Sequence, residues 1–328
     1  MKKILIITYS EDNECIDMVK TAIKEKNGEI YRFNTDLYPT GIQLSLAENN
    51  KKKRAVISGP EGELSLEEIT GIWYRRVRLG DKIPEAMDPE LRKASILEAR
   101  TVFFGFLESV NTFILDRVSK IRIASHKQLQ LQIAKKLGLD IPRTLTTNNP
   151  GEVREFFPTC KHGMITKMLS SFSVYEGNKE KVVFTNLVKA EDLEDLDGLS
   201  YCPMTFQENI PKELELRITI VGNQVFTASL DSQASQSAQN DWRKDGLGLI
   251  DSWDAYSLPP GIETKLLQLM DYFGLNYGAV DMIVTPDNRH VFLEINPSGE
   301  FFWLECYKPK FPISRSIADV LLEEGFRR

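Results

Sequence analysis

Histidine is the scarcest chemistry-bearing residue in this chain: three in 328 positions. The four cysteines, Cys15, Cys160, Cys202 and Cys306, are widely scattered and form no Cys-x-x-Cys pair. Cysteine and histidine together therefore offer no zinc cluster. A basic surplus is also missing: 41 Lys and Arg stand against 47 Asp and Glu, a net charge of −6. That balance speaks against a protein whose partner is bulk nucleic acid or an anionic membrane. No apolar run approaches the roughly 18 residues of a membrane helix. The opening MKKILIITYS has too short an apolar stretch for a signal peptide and meets Glu11 and Asp12 at once, so it reads as a buried first strand and the chain as cytoplasmic. No GxSxG, GxxxxGK[ST] or GxGxxG motif occurs, which disfavours hydrolase-elbow, P-loop and Rossmann dinucleotide chemistry.

What is present is an ordinary globular composition, 42% hydrophobic and 27% charged, at a length that implies two or three domains. The first part alternates: strand Ile4–Thr8, helix Asn13–Lys26, strands Ile30–Phe33 and Ile72–Val77, helix Pro89–Ser109, strand Phe113–Leu115. Such alternation implies an α/β unit with a small parallel sheet. Helix His126–Leu137 closes at Gly138, a second helix lies near Gly151–Phe157, and strands Gly163–Met168 and Lys181–Thr185 follow. Beyond Met204 the signals are long strands: Leu214–Val221 and Gln224–Leu230 flank the Gly222-Asn223 turn, and helix Ile262–Tyr272 precedes strands Ala279–Val284 and His290–Ile295. Boundaries are expected near 120 and 205, giving domains 1–120, 121–205 and 206–328.

The sharpest constellation is Asp281 with Glu294-Ile295-Asn296. Glu294 and Asn296, two apart on a strand, share a face. A hairpin centred on Asp287-Asn288 sets Asp281 opposite Glu294. Opposed Cβ atoms are roughly 5 Å apart and like charges there repel, so the group asks for a cation, and all-oxygen donors select Mg²⁺ or Mn²⁺. Lys127 opens a helix, Lys167 ends an apolar strand, and alternation puts Arg217 on the polar face of Leu214–Val221. These are phosphate-binding residue types, though each alone reads as surface decoration. Gln207–Pro211 is an extended connector in which Glu208 has hydrogen-bonding capacity. In Ile72–Val77, Arg75 and Arg76 are expected on opposite faces, one of them buried or at a cleft. Trp242-Arg243 follows a polar stretch, and Glu191–Asp197 carries five acids in seven positions of an expected helix, ordinarily a solvated face.

Taken in order, a helix-start lysine, a strand lysine, a Glu-x connector, Glu-Leu-Arg and Asp…Glu-x-Asn resemble the ATP-grasp fold, α+β in this half, over roughly 120–305. Trp73–Arg76, His126–Leu131, Met204–Pro211 and Glu294–Phe301 are similar to segments of the graspetide macrocyclases of the microviridin type. Within that family the whole chain is most similar to the lactam-forming branch. The resemblance implies that Lys127 and Lys167 hold nucleotide phosphates, and that Glu208 and Ile210 frame adenine and ribose. It implies that Asp281, Glu294 and Asn296 bind Mg²⁺ (two ions, with Mn²⁺ an alternative). Arg217 and Arg243 become catalytic cations, Arg75 and Arg76 face substrate, and the acids Glu191, Asp192 and Asp195 dock a leader peptide. The implied reaction activates a Glu or Asp side chain of a ribosomal precursor peptide with ATP, then condenses it with a lysine amine to an ω-amide. A sister enzyme makes the ω-ester instead. Rival readings are an ATP-grasp ligase for small peptides or metabolites and a non-catalytic nucleotide-binding regulator. The expected partner is the precursor peptide, with no nucleic acid and no membrane; a homodimer is left open.

Overall fold

The computed structural model describes all residues except 51–52, 170–172, 177–178, 183–184 and 233–247. The N-terminal part runs β1 (Lys3–Thr8), α1 (Cys15–Glu25), β2 (Glu29–Asn34), β3 (Gln43–Glu48), β4 (Lys53–Gly59), β5 (Gly62–Ser65), β6 (Gly71–Tyr74), α2 (Pro89–Ser109) and β7 (Phe113–Leu115). Strands β2-β1-β6-β7 form the expected parallel sheet. Its first strand, Lys-Ile-Leu-Ile-Ile-Thr, is buried on both faces, as parallel strands covered by helices are. The separate antiparallel sheet β3-β4-β5 is an addition to the expected elements; β3, Gln-Leu-Ser-Leu-Ala-Glu, alternates over only four residues and is exposed along most of its length, too short a signal to mark a strand.

Next come α3 (Val118–Ala124), α4 (Lys127–Lys136), β8 (Thr144–Thr147), α5 (Pro150–Phe156), β9 (Met164–Lys167), β10 (Ser173–Glu176), β11 (Lys179–Val182), β12 (Asn186–Val188) and β13 (Met204–Glu208). The expected strand Lys181–Thr185 starts two residues earlier as β11, and 183–184 lie outside the described residues. Sheet β12-β9-β13-β8 keeps β13 with the central part, so this strand runs across the boundary expected near 205. The last part holds β14 (Leu214–Val221), β15 (Gln224–Leu230), β16 (Asp254–Ala255), α6 (Pro260–Phe273), β17 (Tyr277–Val284), β18 (His290–Asn296), α7 (Phe302–Cys306) and α8 (Ile313–Leu321), with sheet order β16-β15-β14-β17-β18.

The first and last parts share a core. Ile313, Ile317 and Leu321 of α8, spaced one turn apart, join Ile16, Val19 and Ile23 of α1 and Trp73 of β6 in one apolar cluster. Each such side chain stabilises by roughly 1.5–3 kcal/mol on burial. Asp116, just past β7, adds a polar tie. Its carboxylate accepts the backbone N–H of Asn276 (2.9 and 3.0 Å) and of Tyr277 (2.9 Å), and the Asn276 side-chain amide (2.8 Å). The parallel sheet thereby holds the start of β17, the strand that carries Asp281. No helix of the described residues is long and apolar enough to cross a membrane.

Candidate active site

One face of the last sheet is apolar. Leu216, Ile218 and Ile220 of β14, Val280 and Met282 of β17, and Phe292 and Ile295 of β18 pack with α4 and α6 residues such as Ile133, Leu266 and Met270. Alternation then sends Arg217, Asp281 and Glu294 to the other face. Register aligns them: Arg217 pairs with Asp281 across β14 and β17, and Asp281 with Glu294 across β17 and β18.

Asp281 faces Glu294, but not for the expected reason. The β17–β18 turn is centred on Asp287: Thr285 N–H donates to Arg289 O (3.0 Å), Asn288 takes a left-handed φ of 61°, and Val284 pairs with His290. Continued without interruption, that register sets Asp281 opposite Leu293. A bulge instead leaves Leu293 without a partner, so Met282 faces Phe292 while Asp281 faces Glu294. One extra residue reverses the facing of everything beyond it. Phe292 and Ile295, three apart, consequently share the core face.

The two opposed carboxylates, 28% and 27% exposed, are each paired with a cation. Arg217 Nη1 lies 2.9 Å from Asp281 Oδ1, and Lys127 Nζ lies 3.1 Å from Glu294 Oε2. The result is a four-charge row, plus–minus–minus–plus. Lys127 is brought there by Gln130, one turn along α4. The Gln130 amide donates to Ile295 O (2.8 Å) and accepts from Ile295 N–H (2.9 Å), which locks α4 onto the edge strand β18. Gln130 belongs to the His126–Leu131 segment, and its anchoring part has no local signal in the sequence, since its partner lies on a distant strand.

The loop after β18 completes the site. Gly299 is required by close approach: a Cβ there would lie 2.5 Å from the Ala279 Cβ and 2.7 Å from Arg217 Nη2. Tyr277 Oη donates to Gly299 O (2.7 Å). Burial pushes the Tyr277 phenol up to about 12, with Arg75 and Arg217 opposing, so it remains a neutral donor. Arg217 Nη2 donates to Glu300 O (3.1 Å), and its buried Nε has no hydrogen-bond partner among the described residues.

Arg75 and Arg76 are corrected. Strand β6 ends at Tyr74, so the two arginines are not set on opposite faces of a strand; both turn towards Glu300. Arg75 donates to Ser298 O (2.7 Å), Gly299 O (3.3 Å) and Glu300 Oε2 (2.5 Å), and Arg76 pairs with Glu300 Oε1. Cys15 Sγ also donates to Glu300 Oε2 (3.3 Å), and burial pushes this thiol up. Glu300 is thus where the N-terminal part grips the loop after β18.

Lys167, Glu208 and Ile210 belong to the central part. Lys167 ends β9 opposite Thr205, the Glu208 carboxylate accepts the Arg143 N–H (2.9 Å), and Ile210 lies half-buried in the connector to β14. The expected acidic helix is instead two short 3₁₀ turns, Ala190–Leu193 and Asp197–Ser200. Glu191 pairs with Lys189 Nζ (3.0 Å), Asp192 accepts the Lys189 N–H (2.8 Å), and Asp195 accepts the Asp197 N–H (3.3 Å). Leu193, Leu196 and Leu199 recur every three residues, the 3₁₀ period, and pack together on the central core, while Gly198 interrupts any longer helix. Arg243 lies outside the described residues. No group of three or more His, Cys, Asp or Glu that could hold a metal is found among the described residues. The candidate metal donors are two carboxylates with Asn296, whose Oδ1 also accepts the Ser298 N–H (3.0 Å).

Two antiparallel sheets, a charged row on one of them and a lysine-tipped helix docked at its edge define the ATP-grasp class of ligase. Residues 3–122 match the family model described as the MvdD pre-ATP grasp domain. The chain is 50% identical to the macrocyclase MdnC of Microcystis aeruginosa MRC, solved with its precursor peptide MdnA, over 98% of this chain and 99% of that one (TM-score 0.88). It is 44% identical to a Chryseobacterium gregarium RiPP-associated ATP-grasp ligase solved with ADP and a leader and core peptide, over 100% and 98% (TM-score 0.96). To the macrocyclase MdnB of the same Microcystis it is 37% identical over 98% and 99% (TM-score 0.82). No curated protein sequence matches it. The chain belongs to the family of microviridin-type ATP-grasp macrocyclases.

Proposed function

We propose that this protein uses ATP to close rings in a ribosomally made precursor peptide by joining an Asp or Glu side chain to a nucleophilic side chain of the same peptide. The observation that carries this is the row Arg217–Asp281–Glu294–Lys127 in a chain 50% identical to a precursor-bound macrocyclase. The donor set suits a hard divalent cation: opposed Asp281 and Glu294, with Asn296 two residues along on the same face, all oxygen. Mg²⁺ bound there would offset charge on the phosphates. Lys127 and Lys167 would hold the nucleotide phosphates, and Glu208 and Ile210 would frame its base and sugar. Arg217, already on the row, would face the transferring phosphoryl group.

A carboxylate does not lose hydroxide at neutral pH, so its oxygen first attacks the γ-phosphorus and ADP leaves. The nucleophile then attacks the acyl carbon, its proton is lost and phosphate departs. Both groups belong to one peptide, so positioning supplies much of the rate. The whole reaction fits a cytoplasmic protein with access to ATP.

The nucleophile carried over from the resemblance is a lysine amine, giving an ω-amide; a hydroxyl would give the ester from the same acyl phosphate. The test is mass spectrometry of precursor incubated with ATP and Mg²⁺. One water is expected to leave per ring, and rings that survive mild alkali are amides. Rings that reopen overturn the amide, and no loss of water overturns the function.

Leader docking on the acidic run is tested with Glu191→Lys and Asp195→Lys together, leaving the Asp192 cap in place. Precursor affinity at low salt is expected to fall about tenfold and the variant to lose most of the wild type's salt dependence, with ATP affinity unchanged. Unaltered affinity for the precursor would reduce the run to a solvated face.

A further inference from the structure

The arginine pair divides into two unlike members. Arg75 is 3% exposed, and three of its bonds go to Ser298, Gly299 and Glu300, so a ligand arriving from solvent has no access to it. Arg76 is 35% exposed and, among the described residues, is paired with carboxylates: Glu300 Oε1 and, at 3.6 Å, Asp12 Oδ1. Glu300 itself is 22% exposed and is shared between the guanidiniums, Oε2 on Arg75 and Oε1 on Arg76. Its own backbone oxygen is bound by Arg217, whose other amine holds Asp281. A side-chain carboxylate is therefore kept on a solvent-reachable guanidinium, one residue's length from the phosphoryl-transfer row.

Resting on the function proposed above, we infer that Arg76 is the receptor for the peptide carboxylate that is to be activated, and that Glu300 is its internal stand-in while no peptide is bound. The exchange is chemically balanced. Glu300 keeps Arg75 through its other oxygen, so releasing Arg76 strands neither charge, and the incoming group is the same functional group as the outgoing one. Charge-assisted guanidinium–carboxylate bonds also give the directional hold that a single acidic side chain needs before reaction. The ligand class is an Asp or Glu side chain presented on an extended peptide.

The test pairs enzyme and peptide variants in a double-mutant cycle. The probe is the precursor that the wild-type enzyme dehydrates, with its acceptor Glu changed to Gln (or Asp to Asn), and binding is followed by fluorescence anisotropy without ATP. The acid-to-amide change in the peptide is expected to weaken binding to the wild type about tenfold, but binding to Arg76→Gln less than twofold. Glu300→Gln, which weakens the stand-in, is expected to bind the acidic peptide at least threefold more tightly than the wild type does. Equal losses in wild type and Arg76→Gln, or weaker binding of the acidic peptide by Glu300→Gln, would overturn the assignment. The peptide change leaves the protein untouched, so misfolding cannot imitate the result. Should the wild type dehydrate no peptide at all, the failure belongs to the proposed function and not to Arg76.

Discussion

Replacing Glu294 with alanine is expected to abolish ATP-dependent ring closure, at least a thousandfold in rate, while the protein stays folded. Like charges on directly opposed strand residues, whose Cβ atoms are roughly 5 Å apart, repel by a few kcal/mol at most, and Arg217 and Lys127 offset this in the free protein. Removing one carboxylate relieves that repulsion, so the substitution carries little cost to the fold through charge. The Gln130–Ile295 bonds that anchor α4 are untouched, since they involve backbone groups of β18. What the proposed site would lose is a cation ligand: Asp281 and Asn296, one carboxylate and one carboxamide, would be too weak a donor set to place Mg²⁺ on the nucleotide phosphates. A thousandfold corresponds to about 4 kcal/mol of transition-state stabilisation, the size expected of a charge-neutralising group in phosphoryl transfer. Mass spectrometry of the peptide and a thermal melt read the two halves separately. Turnover at the wild-type rate, or full wild-type activity in excess chelator, would remove the metal role from this residue.

The largest effect on stability is expected at Asp116. Changing it to alanine strips the acceptors from two buried backbone N–H groups and one buried amide, and should destabilise the protein by about 3–5 kcal/mol. Asn is the gentler substitution, although its NH₂ then faces N–H donors. The site is also pH-sensitive: burial raises the Asp116 carboxyl to about 6, outweighing the Asn276 and Tyr277 hydrogen bonds that favour the charged form. An acid whose pKa is higher folded than unfolded adds stability that is complete below the unfolded value of 3.8 and is lost as pH rises through about 6. The stability gap between wild type and Asp116→Asn should therefore narrow by up to about 3 kcal/mol from acid to neutral pH. Urea unfolding at pH 4.5 and 7.5 spans about 2 kcal/mol of this change, and parallel pH dependences in the two proteins would refute the assignment.

Much of the architecture was legible in the chain itself. The β14–β15 pair has the bounds read from its alternation, and α2 and β7 likewise begin and end where periodicity and breakers put them. The same alternation put Arg217 on a polar face and Glu294 with Asn296 on another. These are local facts: a two-residue period or a helical period is written within one segment, and burial of one face enforces it.

The gathering of the site was decided elsewhere. Asp281 meets Glu294 through a bulge at Leu293 that no spacing disclosed, and Arg75 and Arg76 converge because β6 stops at Tyr74. Gln130 grips a backbone 165 positions away, and Cys15 reaches Glu300 over 285. The acidic run, read as a helix, forms short 3₁₀ turns because its leucines, three apart, are drawn onto the central core at that spacing. Residue types and the faces they occupy were determined by the sequence alone, because side-chain direction follows from local backbone geometry. Which faces meet, and which charge answers which, was decided by tertiary structure, since the packing of α8 on α1 and of α4 on β18 joins segments whose sequences carry no mark of each other.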